Sequence, residues 1–297
     1  MSTRLLDGRA VAARMLAEVE TQVDELSSSG FHPRLVSVRV GEDPAVELYI
    51  RNQRRCAEKV GIDFEERHFP ASLSIDEIRA AILALNVDPR TTGIILQRPV
   101  PSTFSIKALQ NAVHPLKDVE GMHPASIGNI VYNELELGPC TALASIELLR
   151  ETGLPLEGLD VTVIGHSEIV GKPIAFLLMA EGSTVTVCHH MTRDVARHAR
   201  ESDAVLVAVG KPKLVTADML RPGAALIDIG INQVVDESGQ HQTVGDSDFE
   251  SCAEVAGWIT PVPGGVGPVT VAVLMRNTVT AAKRLREHYR QQFAAPS

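Results

Sequence analysis

Aromatic residues are scarce, at 4% of 297 residues with a single Trp, so the cores must be built from aliphatic side chains, as in α/β folds. Cysteines are few as well. Cys56, Cys140, Cys188 and Cys252 form no Cys-x-x-Cys pair and no histidines stand at ligand spacing, which points to a reduced, cytoplasmic protein. Positive charge is in deficit: 28 Lys and Arg against 37 Asp and Glu leave a net charge of −9, which argues against nucleic acid or anionic membrane as partner. Long hydrophobic runs are missing too, and no segment approaches the ~18 apolar residues of a membrane span. Arg4, Asp7, Arg9 and Arg14 interrupt any signal-like apolar core at the N-terminus. Neither an internal repeat nor a low-complexity tract is visible. The length predicts about two domains.

What is present is organised around Leu159 to Pro173. Val161 to Ile164 is a β-branched run suited to a buried parallel strand. Gly165 and Gly171 bracket a tight turn, and Pro173 stands where the first turn of a helix begins. A helix N-terminus facing a glycine-cut turn favours an anion, because backbone N–H groups and the helix dipole converge there. Ser167 stands where the usual dinucleotide fingerprint has its second glycine. A hydrolase nucleophile elbow is excluded, since that turn needs glycine where this chain has Ile169.

Before this stretch, Val11, Met15, Val19, Val23 and Leu26 predict a long amphipathic helix. Strands are expected at 35–40, 64–69 and 93–97. Helices are expected from Pro44 to about Val60, from the capping box Ser74-Ile75-Asp76-Glu77 through Leu85, and over 106–112. Residues 114–121 read as a polar loop. After a helix from Pro139 through Leu149 come strands at 161–164, 184–187, 204–208 and 225–229, with helices ending near Ala180 and Ala199. That alternation is a parallel sheet with its functional turns at the carboxyl ends of the strands. A hairpin is expected over 234–243. Residues 258–270 read as an uncharged irregular loop before a last helix, from Val271 to about His288, that packs back on the first domain. Cys188-His189-His190 gives no metal site on this reading, because adjacent histidines point apart and no third ligand is near in sequence.

Four motifs occur together and in order: the Gly165–Pro173 turn, Ala208-Val209-Gly210-Lys211-Pro212, Asp228-Ile229-Gly230-Ile231-Asn232, and the loop Thr260 to Thr270. In that combination the chain resembles the bifunctional methylenetetrahydrofolate dehydrogenase/methenyltetrahydrofolate cyclohydrolase family over nearly its whole length. The resemblance implies an α/β protein of two domains with a cleft between them. Residues 1–139, completed by the helix 271–297, are an α/β folate-binding domain. Residues 140–270 are a Rossmann-like NAD(P)-binding domain with a parallel sheet. It also implies a homodimer joined through the nucleotide domains, and a tetrahydrofolate one-carbon derivative as substrate.

Position by position, the resemblance implies that Tyr49 stacks on the folate and that Gln97 orients the family's catalytic lysine. The pterin's carboxylate partner falls on Glu120, and the backbone of Pro263, Gly264 and Gly265 lines the folate. Gly165, His166, Ser167, Ile231 and Thr270 match cofactor-contacting positions. The chain departs from the pattern in places. The family's Tyr-x-x-x-Lys reads Tyr49-Ile50-Arg51-Asn52-Gln53, its Lys-Asp-Val-Asp-Gly reads Lys117-Asp118-Val119-Glu120-Gly121, and its Gly-Arg-Ser reads Gly165-His166-Ser167. Lys59 lies on another helical face, and Arg54 stays charged and cannot act as a base.

Hydride transfer from the methylene bridge needs alignment rather than a proton-moving side chain, whereas opening the methenyl ring with water calls for a general acid–base. An amide at position 53 cannot titrate. The catalytic set Tyr49, Gln53, Gln97 and Glu120 therefore predicts a methylenetetrahydrofolate dehydrogenase with cyclohydrolase activity weak or lost. Two alternatives stand beside it: a fully bifunctional enzyme in which Glu120 or a water replaces the lysine, and a silent nucleotide-binding partner of a true family member. NADP is expected rather than NAD. The second strand of the nucleotide sheet ends in Cys188-His189-His190 with no acidic residue to bind a ribose 2′-hydroxyl, while His166, Ser167 and His190 are donors for a 2′-phosphate.

Overall fold

The computed structural model describes residues 3–235 and 239–293. The chain opens with strand β1 (Arg4–Leu5) and helix α1 (Gly8–Ser28). Then come β2 (Arg34–Val40), α2 (Pro44–Lys59), β3 (Asp63–Phe69), α3 (Ile75–Val87), β4 (Gly93–Leu96), α4 (Ile106–Gln110) and α5 (Pro124–Val131). The second half runs α6 (Cys140–Arg150), β5 (Asp160–Ile164), α7 (Gly171–Ala180), β6 (Thr184–Cys188), α8 (Val195–Arg200), β7 (Ala204–Val207) and β8 (Ala225–Asp228). It closes with β9 (Asn232–Val235), β10 (His241–Val244), α9 (Phe249–Val255), β11 (Trp258–Ile259) and α10 (Val266–Phe293).

These elements form two compact units, Met1–Ala12 with Pro139–Thr270, and Ala13–Gly138 with Val271–Ser297. The first twelve residues thus leave the domain expected for them. β1 pairs in parallel with β11, Arg4 opposite Trp258, and so joins the larger sheet. A two-residue strand without alternation carries no readable signal. The last helix starts at Val266, five residues earlier than the loop reading implies, so the uncharged segment shrinks to 260–265.

In the unit that contains Pro139–Thr270, the described strands give a six-stranded parallel sheet, β1-β11-β8-β7-β5-β6. Its order reverses between β5 and β7, which makes the carboxyl ends of those two strands a topological switch point, where α/β sheets bind ligands. The strands read as continuous aliphatic runs because both faces are covered: Val205, Val207, Leu226 and Ile259 are fully buried. β9 and β10 pair antiparallel, as the hairpin reading expects. Residues 236–238 of that reading lie outside the described ones.

The other unit is built on a three-stranded parallel sheet, β3-β2-β4. One face of it packs Val36, Val38, Val40, Ile94 and Leu96 against Ile78, Ile82 and Leu85 of α3. The capping box that starts α3 is formed, with Ser74 and Glu77 exchanging side-chain and backbone hydrogen bonds. β3 reads Asp-Phe-Glu-Glu-Arg-His-Phe, and such charges on an edge strand discourage pairing with another chain. α10 contributes to this unit as well: Asn277 Nδ2 donates to Val119 O and Gly138 O, at 2.9 and 3.0 Å.

The expected polar loop 114–121 is largely internal. Lys117, Asp118 and Val119 are buried, Asp118 bridges Ile94 in parallel register, and a Cβ on Gly93 would meet Val119 at 2.6 Å. The charges are satisfied internally, which composition alone does not reveal. Lys117 Nζ donates to Leu85 O at 3.1 Å and Asp88 O at 2.8 Å, closing the C-terminal end of α3. Burial pulls its ammonium down to about 8, and a neutral amine has two hydrogens for these two carbonyls.

Lys117→Met leaves both carbonyls unpaired and is expected to lower unfolding free energy by about 1–3 kcal/mol. The folded state releases the lysine's proton near 8 and the unfolded chain near 10.5. Between those values the unfolded state binds more protons, so stability conferred by Lys117 rises with pH. Urea titrations should show the gap between wild type and Lys117→Met widening from pH 8 towards 10.5.

Candidate active site

Asp43 caps α2, its carboxylate accepting from Ala45 N and Val46 N at 2.8 and 3.2 Å, and Pro44 follows at the first helical position. The buried face of the helix is Val46, Ile50, Gln53 and Ala57, so an amide occupies a core-facing position. Gln53 is fully buried and Tyr49, one turn earlier, is part exposed, so the two do not form a surface pair. Gln97 Nε2 donates to Gln53 Oε1 at 2.8 Å and to Ser37 Oγ at 2.9 Å. That fixes the orientation of the Gln53 amide and leaves its Nε2 buried without a partner. An orphaned buried donor is costly unless a ligand supplies the acceptor. Arg54 turns the other way, pairing with Glu66 at 3.3 Å and lying over the Phe64 ring, and Lys59 is exposed.

Gln97 follows β4, and its N–H donates to Val38 O at 2.8 Å. The parallel bridge from Asp118 to Ile94 carries Glu120 towards this same end of β4. The Asp118 carboxylate is engaged by His123 N and Ser126 Oγ at 2.7 and 2.8 Å. Glu120 makes part of its surface available to solvent, yet burial pushes its carboxyl up to about 8. The Arg98 guanidinium opposes the shift and the Asp118 carboxylate adds to it. Arg98 Nε is itself buried without a partner. This corner thus offers an orphaned amide donor, an orphaned guanidinium nitrogen and a carboxyl that exchanges its proton near neutral pH.

The other candidate residues lie in the unit with the six-stranded sheet. Gly165 leaves β5 with φ of +116°, and a Cβ there would stand 2.3 Å from Ala208 O. A Cβ on Gly171 would stand 1.9 Å from Gly165 O, so only glycine allows the turn to close on α7. Ser167 Oγ accepts from Val170 N at 3.1 Å and so ties the turn that leads into α7, whose N-cap residue, Val170, offers no side-chain cap. Ile231 is exposed, whereas Thr270 is buried in α10 and its hydroxyl donates to Val266 O at 3.1 Å. Pro263, Gly264 and Gly265 form the turn before α10. Gly8 packs so tightly on it that a Cβ would fall 1.7 Å from Gly265 O.

Spacing in the sequence hides a third histidine. His166, after β5, lies with its ring centroid 4.7 Å from His189 and 6.3 Å from His190, both after β6. One ring nitrogen from each lies within 4.8 Å of the others. By composition alone this is a metal-binding set. Tetrahedral coordination at about 2.0–2.1 Å brings ligand nitrogens to roughly 3.4 Å of one another. More decisively, His189 Nδ1 accepts from Met191 N at 3.1 Å. The neutral ring then carries its hydrogen on Nε2, which makes the outward nitrogen a donor. A donor nitrogen on His189 near the N-terminus of α7, with no carboxylate at the end of β6, suits an anion.

A parallel sheet with a glycine-closed turn at its switch point is that of a dinucleotide-binding α/β protein. The tetrahydrofolate dehydrogenase/cyclohydrolase NAD(P)-binding domain matches residues 139–286, and the catalytic domain of the same family matches residues 6–120. A Mesorhizobium japonicum protein named bifunctional protein FolD 2 is 63% identical over 287 residues, 97% of this chain and 94% of that one. The solved bifunctional dehydrogenase/cyclohydrolase FolD of Campylobacter jejuni superposes with a TM-score of 0.91 at 38% identity, covering 95% and 99% of the two chains. The Trypanosoma brucei enzyme, solved with NADP cofactor and inhibitor, has a TM-score of 0.91 at 36% identity and 96% and 98% coverage. The chain belongs to the tetrahydrofolate dehydrogenase/cyclohydrolase family. The expectation of a weak or lost cyclohydrolase finds no support among these relatives, and the two-activity alternative fits them better.

Nitrogen NMR of uniformly labelled protein tests the tautomer. In the neutral ring, His189 Nδ1 should resonate as an unprotonated nitrogen and Nε2 as a protonated one. The reverse assignment would return the three-histidine set to the metal ligands.

Proposed function

We propose that this chain oxidises 5,10-methylenetetrahydrofolate with NADP and hydrolyses the methenyl product to 10-formyltetrahydrofolate. In this reading Glu120 moves the protons that the family pattern assigns to a lysine at position 53. The observation that carries the reading is the Glu120 carboxyl, pushed up to about 8 at the end of β4. Near neutral pH it exists in both forms, as an acid–base catalyst requires. Ionised, it takes a proton from the water that adds to the methenyl carbon. Protonated, it returns that proton to the ring nitrogen released when the carbon–nitrogen bond breaks. One proton is set free overall, and the product is the formyl compound.

NADP, when bound, supplies the hydride acceptor. The chain's own part in that step is alignment, which can account for a large share of the barrier. Tyr49 offers its ring as a platform for the pterin, and the turn of Pro263, Gly264 and Gly265 lines the substrate. Gln97 holds Gln53 so that its orphaned Nε2 donates to the folate. Gly165, Ser167, Ile231 and Thr270 form the cofactor's surroundings. The 2′-phosphate is received by His166, His189 and His190, and the residues directly after β6, 189–193, include no acidic side chain to repel it. Free cysteines, three of them buried, suit a reduced cytoplasmic setting, and no described helix is long and apolar enough to cross a membrane. The end strand β6, which carries the exposed Val187 and follows α7 with its exposed Met179, is the edge on which two copies would pair as a homodimer.

Cyclohydrolase activity is measured without nucleotide, as decay of methenyl absorbance. Glu120→Gln should slow it by roughly 10²–10⁴-fold, the worth of a positioned acid–base, while the dehydrogenase kcat falls less than about tenfold. The wild-type rate should rise with pH up to the ionisation near 8, and that ionisation should vanish in the variant. Equal losses in both activities would make Glu120 a folate anchor only. Decay no faster than in buffer would restore the single-activity reading.

Replacing a donor to the 2′-phosphate discriminates between nucleotides. His189→Leu should lower kcat/KM for NADP roughly 10–100-fold, as for a lost hydrogen bond to a charged group, and leave NAD unchanged. Matching losses for both nucleotides would remove His189 from the phosphate site.

A further inference from the structure

At the carboxyl end of the larger sheet, two buried carboxylates hold three loops together. Asp246, fully buried, accepts from three consecutive backbone amides: Val209 N at 2.6 Å, Gly210 N at 3.0 Å and Lys211 N at 2.8 Å. Asn232 Nδ2 donates to the same carboxylate at 2.9 Å. The loop carrying Asp246 is held in turn by Asp228, which ends β8. Asp228 accepts from Asp246 N at 2.9 Å, Ser247 N at 2.7 Å, Ser247 Oγ at 2.5 Å and Gly230 N at 3.0 Å. Side chains are excluded around the pair. A Cβ on Gly230 would lie 2.2 Å from the Asp246 carboxyl carbon, and one on Gly245 would lie 2.1 Å from Asp228 Oδ2.

The amides that Asp246 collects belong to the turn after β7, the strand at the switch point. That turn touches the Gly165 turn: Ala208 N donates to Ile164 O at 2.9 Å, and Val209 Cγ1 lies 3.3 Å from where a Gly165 Cβ would be. Asn232 adjoins Ile231 at the end of β8. One carboxylate therefore sets the shape of the exit after β7, which touches the glycine turn, and of the exit after β8, the next strand in the sheet. Three successive N–H groups aimed at one carboxylate form a nest, a backbone shape that needs an anion to stay folded. A neutral or displaced side chain at 246 would let those amides seek other partners and move the turn.

We infer that Asp246 is a positioning residue for the dinucleotide: its carboxylate, through the Val209–Lys211 nest and Asn232, shapes the cofactor-facing turns without touching the cofactor itself. The inference rests on the proposed nucleotide site at the β5–β7 switch point. It also separates the two halves of the chemistry, since hydrolysis needs no nucleotide.

The full chain is studied as Asp246→Asn and Gly230→Ala, with NADP binding followed by isothermal titration calorimetry and both activities assayed. Asp246→Asn replaces one acceptor oxygen with an amide donor, and Gly230→Ala drives the carboxylate off the nest. Each should raise the Kd and KM for NADP by about tenfold to a hundredfold, the scale of an ångström-sized misplacement. The KM for methylenetetrahydrofolate, and methenyl decay measured without nucleotide, should stay near wild type. If neither variant folds, Asn232→Ala, which removes a single donor, should still raise the Kd for NADP while sparing the folate KM. A lowered melting temperature with unchanged NADP Kd would overturn the inference and leave Asp246 a stabilising residue only. Equal losses for folate and NADP would overturn it too. No NADP binding by the unaltered chain would overturn the cofactor reading and this inference together, whereas a wild type without cyclohydrolase activity touches only the reading of Glu120.

Discussion

Parallel strands leave a sheet carrying polar groups that no further strand satisfies, and the side chains that tie those strand ends shape both units of this protein. In the larger sheet the answer is anionic. Asp246 and Asp228 absorb eight donors, six of them backbone amides, between exits from β7, β8 and β10, and glycine is enforced at 230 and 245 by the space the carboxylates occupy. Burial pushes Asp228's carboxyl up, with the Asp246 charge adding to the effect, and its hydrogen bonds from Ser247 and the Asp246 amide pull it back. In the smaller sheet the answer is neutral: Gln97 ties the end of β4 to β2 through Ser37 and to α2 through Gln53. The chemistry each unit can support follows from that difference. A carboxylate-held end presents fixed backbone shape, and an amide-held end presents donors free of charge.

The neutral amide at position 53 bears on the role proposed for Glu120. A cation buried at position 53 would favour a nearby carboxylate in its ionised form, whereas an amide there contributes no such charge. Arg98 is the cation that acts on Glu120, and it does not outweigh burial. Substituting an amide for a basic side chain and keeping an acid at position 120 are then parts of one electrostatic arrangement. With Glu120 in the proposed acid–base role, the titrating group sits on a different element from position 53, and its proton exchange stays near neutrality.

Much of the architecture was legible because its signals are local. The aliphatic runs of β5, β7 and β8, the heptad-like spacing in α1 and the capping box of α3 each announce an element within a dozen residues. α5 and α9 carry no such signal: at 8 and 7 residues they are too short to show a period, and α5 opens on Pro124 after its cap His123, outside any stretch with a readable pattern. β1 and β11 have two residues each and exist only by pairing with each other and with β8. The candidate site divides in the same manner. Gly165, Gln97 and Glu120 were named from motifs, yet burial of Lys117 and Asp118 depends on the loop running beside β4, which no local pattern encodes. His189 was set aside because its third neighbour, His166, is far away in sequence and adjacent only through the pairing of β5 with β6.

That histidine group shows how far composition can mislead when hydrogen bonding is ignored. Three imidazoles within reach of one point are, as a residue list, a metal site. The deciding atom is outside the list: the Met191 amide hydrogen, which occupies His189 Nδ1. Metal ligation through Nε2 requires a hydrogen on Nδ1, where a backbone donor already points, so coordination sets two hydrogens against each other. An anion imposes no such conflict, because it takes the hydrogen that the amide has forced onto Nε2. The backbone of the turn after β6 therefore selects between ligand classes that the side chains alone leave equal, and it selects the class that the glycine turn and the N-terminus of α7 favour independently.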